Sequence, residues 1–246
     1  SDSGAGAGIQ ADLKTFSAHN IYASTVITAI TAQNTIGVNE VMNVPSFMIE
    51  SQIKTITEDL KISIIKIGML SNSETIDIVS YCLKKYLYEI PIILDPVMVA
   101  KGGHSLLNND SVESLKNELF PKSFLITPNL SEAEKILEIK IKNEKDMENN
   151  IEMFNDIKVN NVLIKGGHFS HGDKDMFEPF LFLLLTDLFV KTLLFLLIWG
   201  LTVNHSYFQP QVVEERLLVF LGRQRMNRRW LIQRLRKVGQ MVCGAD

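Results

Sequence analysis

The stretch Ile62-Ser-Ile-Ile-Lys-Ile-Gly-Met-Leu70, followed after residues 71–90 by Pro91-Ile-Ile-Leu-Asp-Pro-Val97, decides the fold class. Ile62 to Ile67 is a nearly continuous apolar run that stops at a glycine, as expected of a strand buried on both faces of a parallel sheet. Ser71 and Glu74 have the spacing of a capping box and predict a helix reaching Tyr88. Pro91 to Leu94 then reads as a second buried strand, ending on the carboxylate of Asp95. Two such strands joined through a helix form a parallel crossover unit.

The same alternation extends outward. Ile9 to His19 predicts a helix with Ile9, Leu13 and Phe16 on one face, and Tyr22 to Ala32, rich in Thr, Val and Ile, predicts a strand. Pro45 fits the first turn of a helix running to about Leu60. Phe124–Thr127 and Val162–Lys165 supply further strands, and helices are expected near Ser111–Leu119, Ser131–Leu137 and Lys145–Lys158. The expected class is α/β, in three α/β/α layers around a mostly parallel sheet.

Composition narrows the function. A net charge of -3 over 246 residues gives no reason to expect nucleic acid as a partner. Two cysteines, Cys82 and Cys243, make neither a disulfide framework nor a four-ligand zinc site. No secretory leader opens the chain, which predicts a cytoplasmic location. The chain starts at Ser1 inside a glycine-rich turn, so a missing N-terminal piece is expected, and the fold should be incomplete at both ends. The averages hide two halves. Residues 1–175 carry 16 lysines against 23 acidic residues, a net -7, whereas residues 176–246 carry all seven arginines and a net +4. We read 1–175 as one domain and 176–246 as an atypical tail, with an apolar run at 179–203 followed by an Arg-rich segment. The apolar run has the length of a membrane span, but Asp187 and Lys191 make insertion marginal. A frame-shifted tail is the preferred reading, because AT-rich codons read out of frame yield Phe and Leu runs.

In parallel α/β sheets ligands bind outside the carboxyl ends of the strands. Those ends are Gly68-Met69-Leu70, Asp95-Pro96-Val97, Thr127-Pro128-Asn129 and Lys165-Gly166-Gly167-His168. The turn Ser1-Asp-Ser-Gly-Ala-Gly-Ala-Gly8 precedes a helix, where free backbone N–H groups would favour an anion or a polar substrate group. Neither the dinucleotide fingerprint nor a Gly-x-x-x-x-Gly-Lys loop occurs. Each strand-end residue has a plain structural role open to it. Asp95 can be a turn carboxylate, Asn129 with Glu132 a helix cap with a first-turn acid, and Lys165 an exposed lysine. Together they describe a Mg²⁺–polyphosphate site of oxygen ligands and one cation.

The run Ser1-Asp-Ser-Gly-Ala-Gly-Ala-Gly-Ile-Gln-Ala-Asp12-Leu-Lys-Thr-Phe16, then Val26-Ile-Thr-Ala-Ile-Thr-Ala-Gln33-Asn-Thr35, resembles the hydroxymethylpyrimidine/phosphomethylpyrimidine kinases of thiamine biosynthesis, in the ribokinase-like superfamily. Lys66-Ile-Gly-Met-Leu70, Leu94-Asp-Pro-Val-Met-Val-Ala-Lys101, Thr127-Pro-Asn-Leu-Ser-Glu132 and Leu163-Ile-Lys-Gly-Gly-His168 continue in that family's order. The resemblance implies a kinase that uses ATP and Mg²⁺ on hydroxymethylpyrimidine and then on its monophosphate. It places Asp12, Gln33 and Met69, with Gly4 and Val97, at the pyrimidine. Asp95, Asn129 and Glu132 fall on the metal and phosphate positions, and Lys165 on the phosphate-contacting lysine. A homodimer is compatible with it, and a membrane contact would have to act through 179–203.

The family's Gly-Thr-Gly-Cys segment, which supplies a backbone N–H cradle and the catalytic cysteine, does not occur in these 246 residues. The resemblance therefore leaves the catalytic residue unassigned and implies impaired catalysis. The alternatives are a non-catalytic ligand-binding domain with a membrane span, and a related vitamin kinase acting on pyridoxal.

Overall fold

The computed structural model describes residues 1–98, 109–159, 161–165, 181–184, 217–221 and 224–225. In chain order these form α1 (Gly8–Ala18), β1 (Ala29–Gln33), β2 (Val38–Asn43), α2 (Ser46–Asp59), β3 (Ile65–Ile67), α3 (Ser73–Tyr86), β4 (Ile92–Leu94) and α4 (Asn109–Ser114). There follow β5 (Leu125–Ile126), α5 (Leu130–Leu137), α6 (Glu144–Asn150), α7 (Met153–Asp156), β6 (Val162–Lys165), β7 (Leu181–Leu184), β8 (Leu217–Leu221) and β9 (Gln224–Arg225). The chain divides into two units, Ser1–Thr127 with Ile157–Val159, and Pro128–Asp156 with Asn160–Asp246.

In the first unit β3, β4 and β5 pair in parallel, with Ile65 opposite Ile92 and Ile93 opposite Leu125. The crossovers supply the helices expected from the sequence. Ile92, Ile93 and Leu94 are all buried, as are Leu125 and Ile126, so these short strands have no solvent face. Helix α3 buries Ile76, Val79 and Leu83 on one stripe and Cys82 beside it, and packs along α2, which buries Ile49 and Ile53. Burial pushes the Cys82 thiol up to about 11, so at neutral pH it behaves as a small apolar side chain.

The start of α3 differs in detail from expectation. Asn72, not Ser71, is the N-cap, its side chain accepting from the Thr75 N–H at 2.8 Å. Ser71 instead donates to Asn43 Oδ1, and Glu74 accepts from the Ser46 hydroxyl. Either residue at 71 or 72 could cap, and neighbouring side chains decided which. Pro45 likewise stands at the N-cap of α2 and not in its first turn.

The 22–32 segment is strand only from Ala29. Upstream, Ile27 satisfies its backbone on a side chain: its N–H donates to Gln52 Oε1 at 2.9 Å and its carbonyl accepts from Gln52 Nε2. β1 pairs antiparallel with β2, a strand the sequence did not announce, with Thr31 opposite Val41 and an irregularity between Ala32 and Gln33. Alternation along β1 buries Ala29 and Thr31 and leaves Ile30 outward. The Asn34 carboxamide oxygen closes the turn by accepting from the N–H groups of Ile36 and Gly37.

In the second unit α5 buries Ala133, Ile136 and Leu137, and β6 buries Val162, Leu163 and Ile164. The expected 145–158 helix is two short ones, α6 and α7, with Phe154 of α7 fully buried. β6 pairs antiparallel with β7, β7 parallel with β8, and β8 antiparallel with β9. Residues 181–184, inside the apolar run at 179–203, are thus strand. The rest of that run and almost all of the Arg-rich segment lie outside the described residues. Among the described residues no helix is long and apolar enough to cross a membrane.

Two substitutions separate core from cap. Leu94→Ala, at a fully buried position, should cost about 2–5 kcal/mol, and Asn72→Ala about 0.5–2 kcal/mol. Urea unfolding followed by circular dichroism measures both, and equal losses would contradict the assigned roles.

Candidate functional site

In the first unit the glycine-rich turn is built around a buried aspartate. Asp2 is 4 % exposed, and its carboxylate accepts from the N–H groups of Gly4 (2.7 Å), Gly6 (2.9 Å) and Ala7 (2.8 Å). The sequence suggested that these N–H groups await an external anion. They are taken by an internal one, and the loop is closed on itself. Asp2 N–H donates to Gln10 Oε1 at 2.8 Å, tying the turn to α1. Gly8 enters that helix at φ +59, a left-handed conformation that strains any residue bearing a Cβ.

This turn reaches Gln33 through Ser3. The Ser3 hydroxyl donates to the Gln33 carbonyl at 2.7 Å and accepts from the Gln33 N–H at 2.9 Å. A Cβ on Gly4 would lie 3.3 Å from the same carbonyl and 3.2 Å from Asp2 Oδ1, so close approach favours glycine at position 4. Thr31 anchors the middle of β1 by donating to the Ser1 carbonyl at 2.7 Å. Gly4 and Gln33 are therefore brought together, and Gln33 is held at its backbone by Ser3.

Asp12, on α1, meets a partner that sequence reasoning passed over. Lys66 Nζ donates to Asp12 Oδ1 and Oδ2, each at 2.9 Å, and the two side chains are only 17 % and 19 % exposed. Lys66 lies on β3, two residues before Gly68, where a Cβ would stand 3.3 Å from Lys66 Nζ. Met69 follows, its carbonyl accepting from the Thr28 hydroxyl at 3.1 Å. Asp95 and Val97 stand just beyond β4. The Asp95 N–H donates to the Ile67 carbonyl and the Val97 N–H to the Asp95 carbonyl, both at 2.8 Å. Asp95 is thereby placed beside the end of β3.

In the second unit Asn129 and Glu132 form a reciprocal cap on α5. Asn129 Oδ1 accepts from the Glu132 N–H at 2.9 Å, and Glu132 Oε2 accepts from the Asn129 N–H at 2.8 Å. The Ser131 hydroxyl also donates to Asn129 Oδ1, at 2.8 Å. Glu132 is 3 % exposed. Lys165, at the end of β6, bridges in parallel to Asn129 and donates its N–H to the Pro128 carbonyl at 2.8 Å. Asn129, Glu132 and Lys165 are thus neighbours. The capping role that the sequence left open is the one these side chains occupy, and it consumes both lone pairs of Asn129 Oδ1.

The signals for the missed residues were local. Asp2 precedes small residues at the offsets where its carboxylate finds N–H groups. Lys66 is the charged residue of an otherwise apolar strand, followed by a glycine that leaves room for its ammonium.

The family model for phosphomethylpyrimidine kinase matches residues 2–183. The bifunctional thiamine biosynthesis protein ThiED of Geobacter sulfurreducens is 43 % identical over 173 residues, covering 70 % of this chain and 35 % of that one. The hydroxymethylpyrimidine/phosphomethylpyrimidine kinase of Haemophilus influenzae is 39 % identical over 186 residues, covering 74 % of this chain and 68 % of that one. The chain therefore spans about a third of the first relative and about two thirds of the second. Among solved structures, the phosphomethylpyrimidine kinase of Clostridium difficile superposes with a TM-score of 0.64 at 44 % identity, over 73 % of this chain and 80 % of that one. The pyridoxal kinase of Staphylococcus aureus, in complex with AMP-PCP and pyridoxal, gives 0.61 at 32 % identity over 71 % and 62 %. A family match over most of the chain, at this identity and on the parallel α/β scaffold described above, makes the chain a member of the phosphomethylpyrimidine kinase family, a family of phosphotransferases.

Proposed function

We propose that the chain binds 4-amino-5-hydroxymethyl-2-methylpyrimidine and its monophosphate, and that its reaction is ATP-dependent phosphorylation of both in the cytoplasm, on the way to thiamine diphosphate. The observation that carries this is the placement of Gln33, held at its backbone by Ser3 of the closed glycine turn, and of Asp12, whose carboxylate Lys66 holds; both side chains have the hydrogen-bonding capacity an aminopyrimidine needs. Asp12 accepts, and Gln33 can both donate and accept. Met69, Gly4 and Val97 complete the pyrimidine contacts in this reading.

In this reading motif order gives Asp95 of the first unit, and Asn129, Glu132 and Lys165 of the second, their roles toward Mg²⁺ and the phosphates of ATP. Carboxylate and amide oxygens suit a hard cation, which keeps several waters. Because Asn129 Oδ1 already accepts twice, Asn129 would serve a bound Mg²⁺ by fixing Glu132. Mg²⁺, when bound, neutralises polyphosphate charge. Lys165 adds a second positive charge there. This chain's residues bind and orient. They include no Gly-Thr-Gly-Cys cradle for the moving phosphoryl group, and losing one such donor costs roughly 10²–10³ in rate. Slow turnover with retained binding is the expected behaviour.

Three measurements test this reading. Calorimetry should detect binding of the hydroxymethylpyrimidine, weakened by about 1–3 kcal/mol in Gln33→Ala; equal affinities would remove Gln33 from the site. The same titration with pyridoxal addresses the second reading, which the likeness to the S. aureus enzyme favours, and tighter binding of pyridoxal would reverse the order of the two. Production of the monophosphate should stay near background. A rate of about 1 s⁻¹, abolished in Lys165→Ala, would show that phosphoryl transfer is intact.

A further inference from the structure

Lys66 is the charged side chain that the reading above leaves without a role. It points from β3 to the α1 carboxylate, engages both oxygens at 2.9 Å, and is largely shielded from water. A Cβ at position 68 would stand 3.3 Å from its ammonium, a tight approach to the far end of a flexible side chain. Helix α1 gives the pair further weight. None of its residues is buried, and its polar ties include Gln10 to Asp2, Lys14 to the Ala5 carbonyl, and Asp12 to Lys66. Without Lys66, the carboxylate could swing to any rotamer the helix allows a partly buried aspartate.

We infer that Lys66 is a positioning residue that fixes the plane of the Asp12 carboxylate and so makes the site select pyrimidines bearing an exocyclic amine over their oxo counterparts. The inference rests on the pyrimidine reading. A carboxylate is acceptor-only. With each oxygen already accepting one N–H from Lys66, a lone pair on each remains for a ligand donor, in a direction set by the ammonium. An amine meets that lone pair with an N–H, whereas a ring carbonyl meets it with a lone pair of its own and is repelled. Orientation, more than charge alone, then decides amine against oxo, as expected where buried polar groups must find partners.

The test compares full-length wild type, Lys66→Met, Lys66→Arg and Asp12→Asn by calorimetry. The ligands are 4-amino-5-hydroxymethyl-2-methylpyrimidine and its 4-oxo analogue. Lys66→Met should weaken the amino ligand on the order of 10- to 100-fold and change the oxo ligand little, so that selectivity collapses. Lys66→Arg, whose guanidinium can also engage both carboxylate oxygens, should recover most of it. Equal weakening of both ligands in Lys66→Met, or failure of arginine to rescue, would reduce Lys66 to a structural lysine and overturn the inference. A ligand-free measurement stands beside these. Amine acylation read by mass spectrometry should find Lys66 protected relative to the exposed Lys54 in wild type, and reactive in Asp12→Asn. Wild-type Lys66 reacting like Lys54 overturns the ion pair itself. Wild-type protein that shows the protection but binds neither pyrimidine overturns the substrate reading, and the selectivity with it.

Discussion

Parallel pairing of β3, β4 and β5 is the constraint from which the rest of the first unit follows. Strands that run the same way must end at the same edge, and each must be covered on both faces by the helices that return the chain. The strands are only two or three residues long, yet Leu94 and Ile126 are completely buried. The edge they share delivers Gly68, Met69 and Asp95 side by side, with the Asp95 N–H bonded to the residue that ends β3. The β1–β2 pair and α1 attach to this frame through Thr28, bonded to the Met69 carbonyl, and Lys66, bonded to Asp12, while Thr31 and Ser3 tie the glycine turn to β1.

The scaffold was readable because burial on both faces writes a strong signal. The largely apolar runs at 62–67, 91–94 and 162–165 stand out against any helix period, and each contains a strand in its expected order, at Ile65–Ile67, Ile92–Leu94 and Val162–Lys165. β2 was not readable. Val38-Asn-Glu-Val-Met-Asn43 is almost wholly exposed, so no apolar face marked it, and its pairing with β1 is decided by a turn closed through Asn34. The 145–158 helix read as one element because its charged residues suit any helix. The break at Ile151, whose side chain is buried, comes from packing that local propensity does not report.

The candidate site was legible in identity more than in arrangement. Motif order pointed to Asp12, Gln33, Asn129 and Glu132, but sequence carries no statement of what each side chain already holds. Asn129 and Glu132 show why. A capping box and a pair of oxygen ligands call for the same residue types at the same spacing, and only the distances reveal that the amide oxygen is doubly occupied. Lys66 escaped for the opposite reason. Its partner lies 54 positions away, and an isolated lysine in a strand is ordinarily taken for a solvent-facing residue.

The aspartate at the heart of the glycine turn has a consequence for adaptability. Loops that cradle an outside anion are shaped in part by that anion and tend to be soft without it. This one carries its own permanent counter-ion on Asp2, so its curvature is set during folding and does not vary with the phosphate in its surroundings. Such a loop gives up the freedom to accommodate varied ligands. In return it meets the one it fits in a finished shape, with little ordering entropy left to lose.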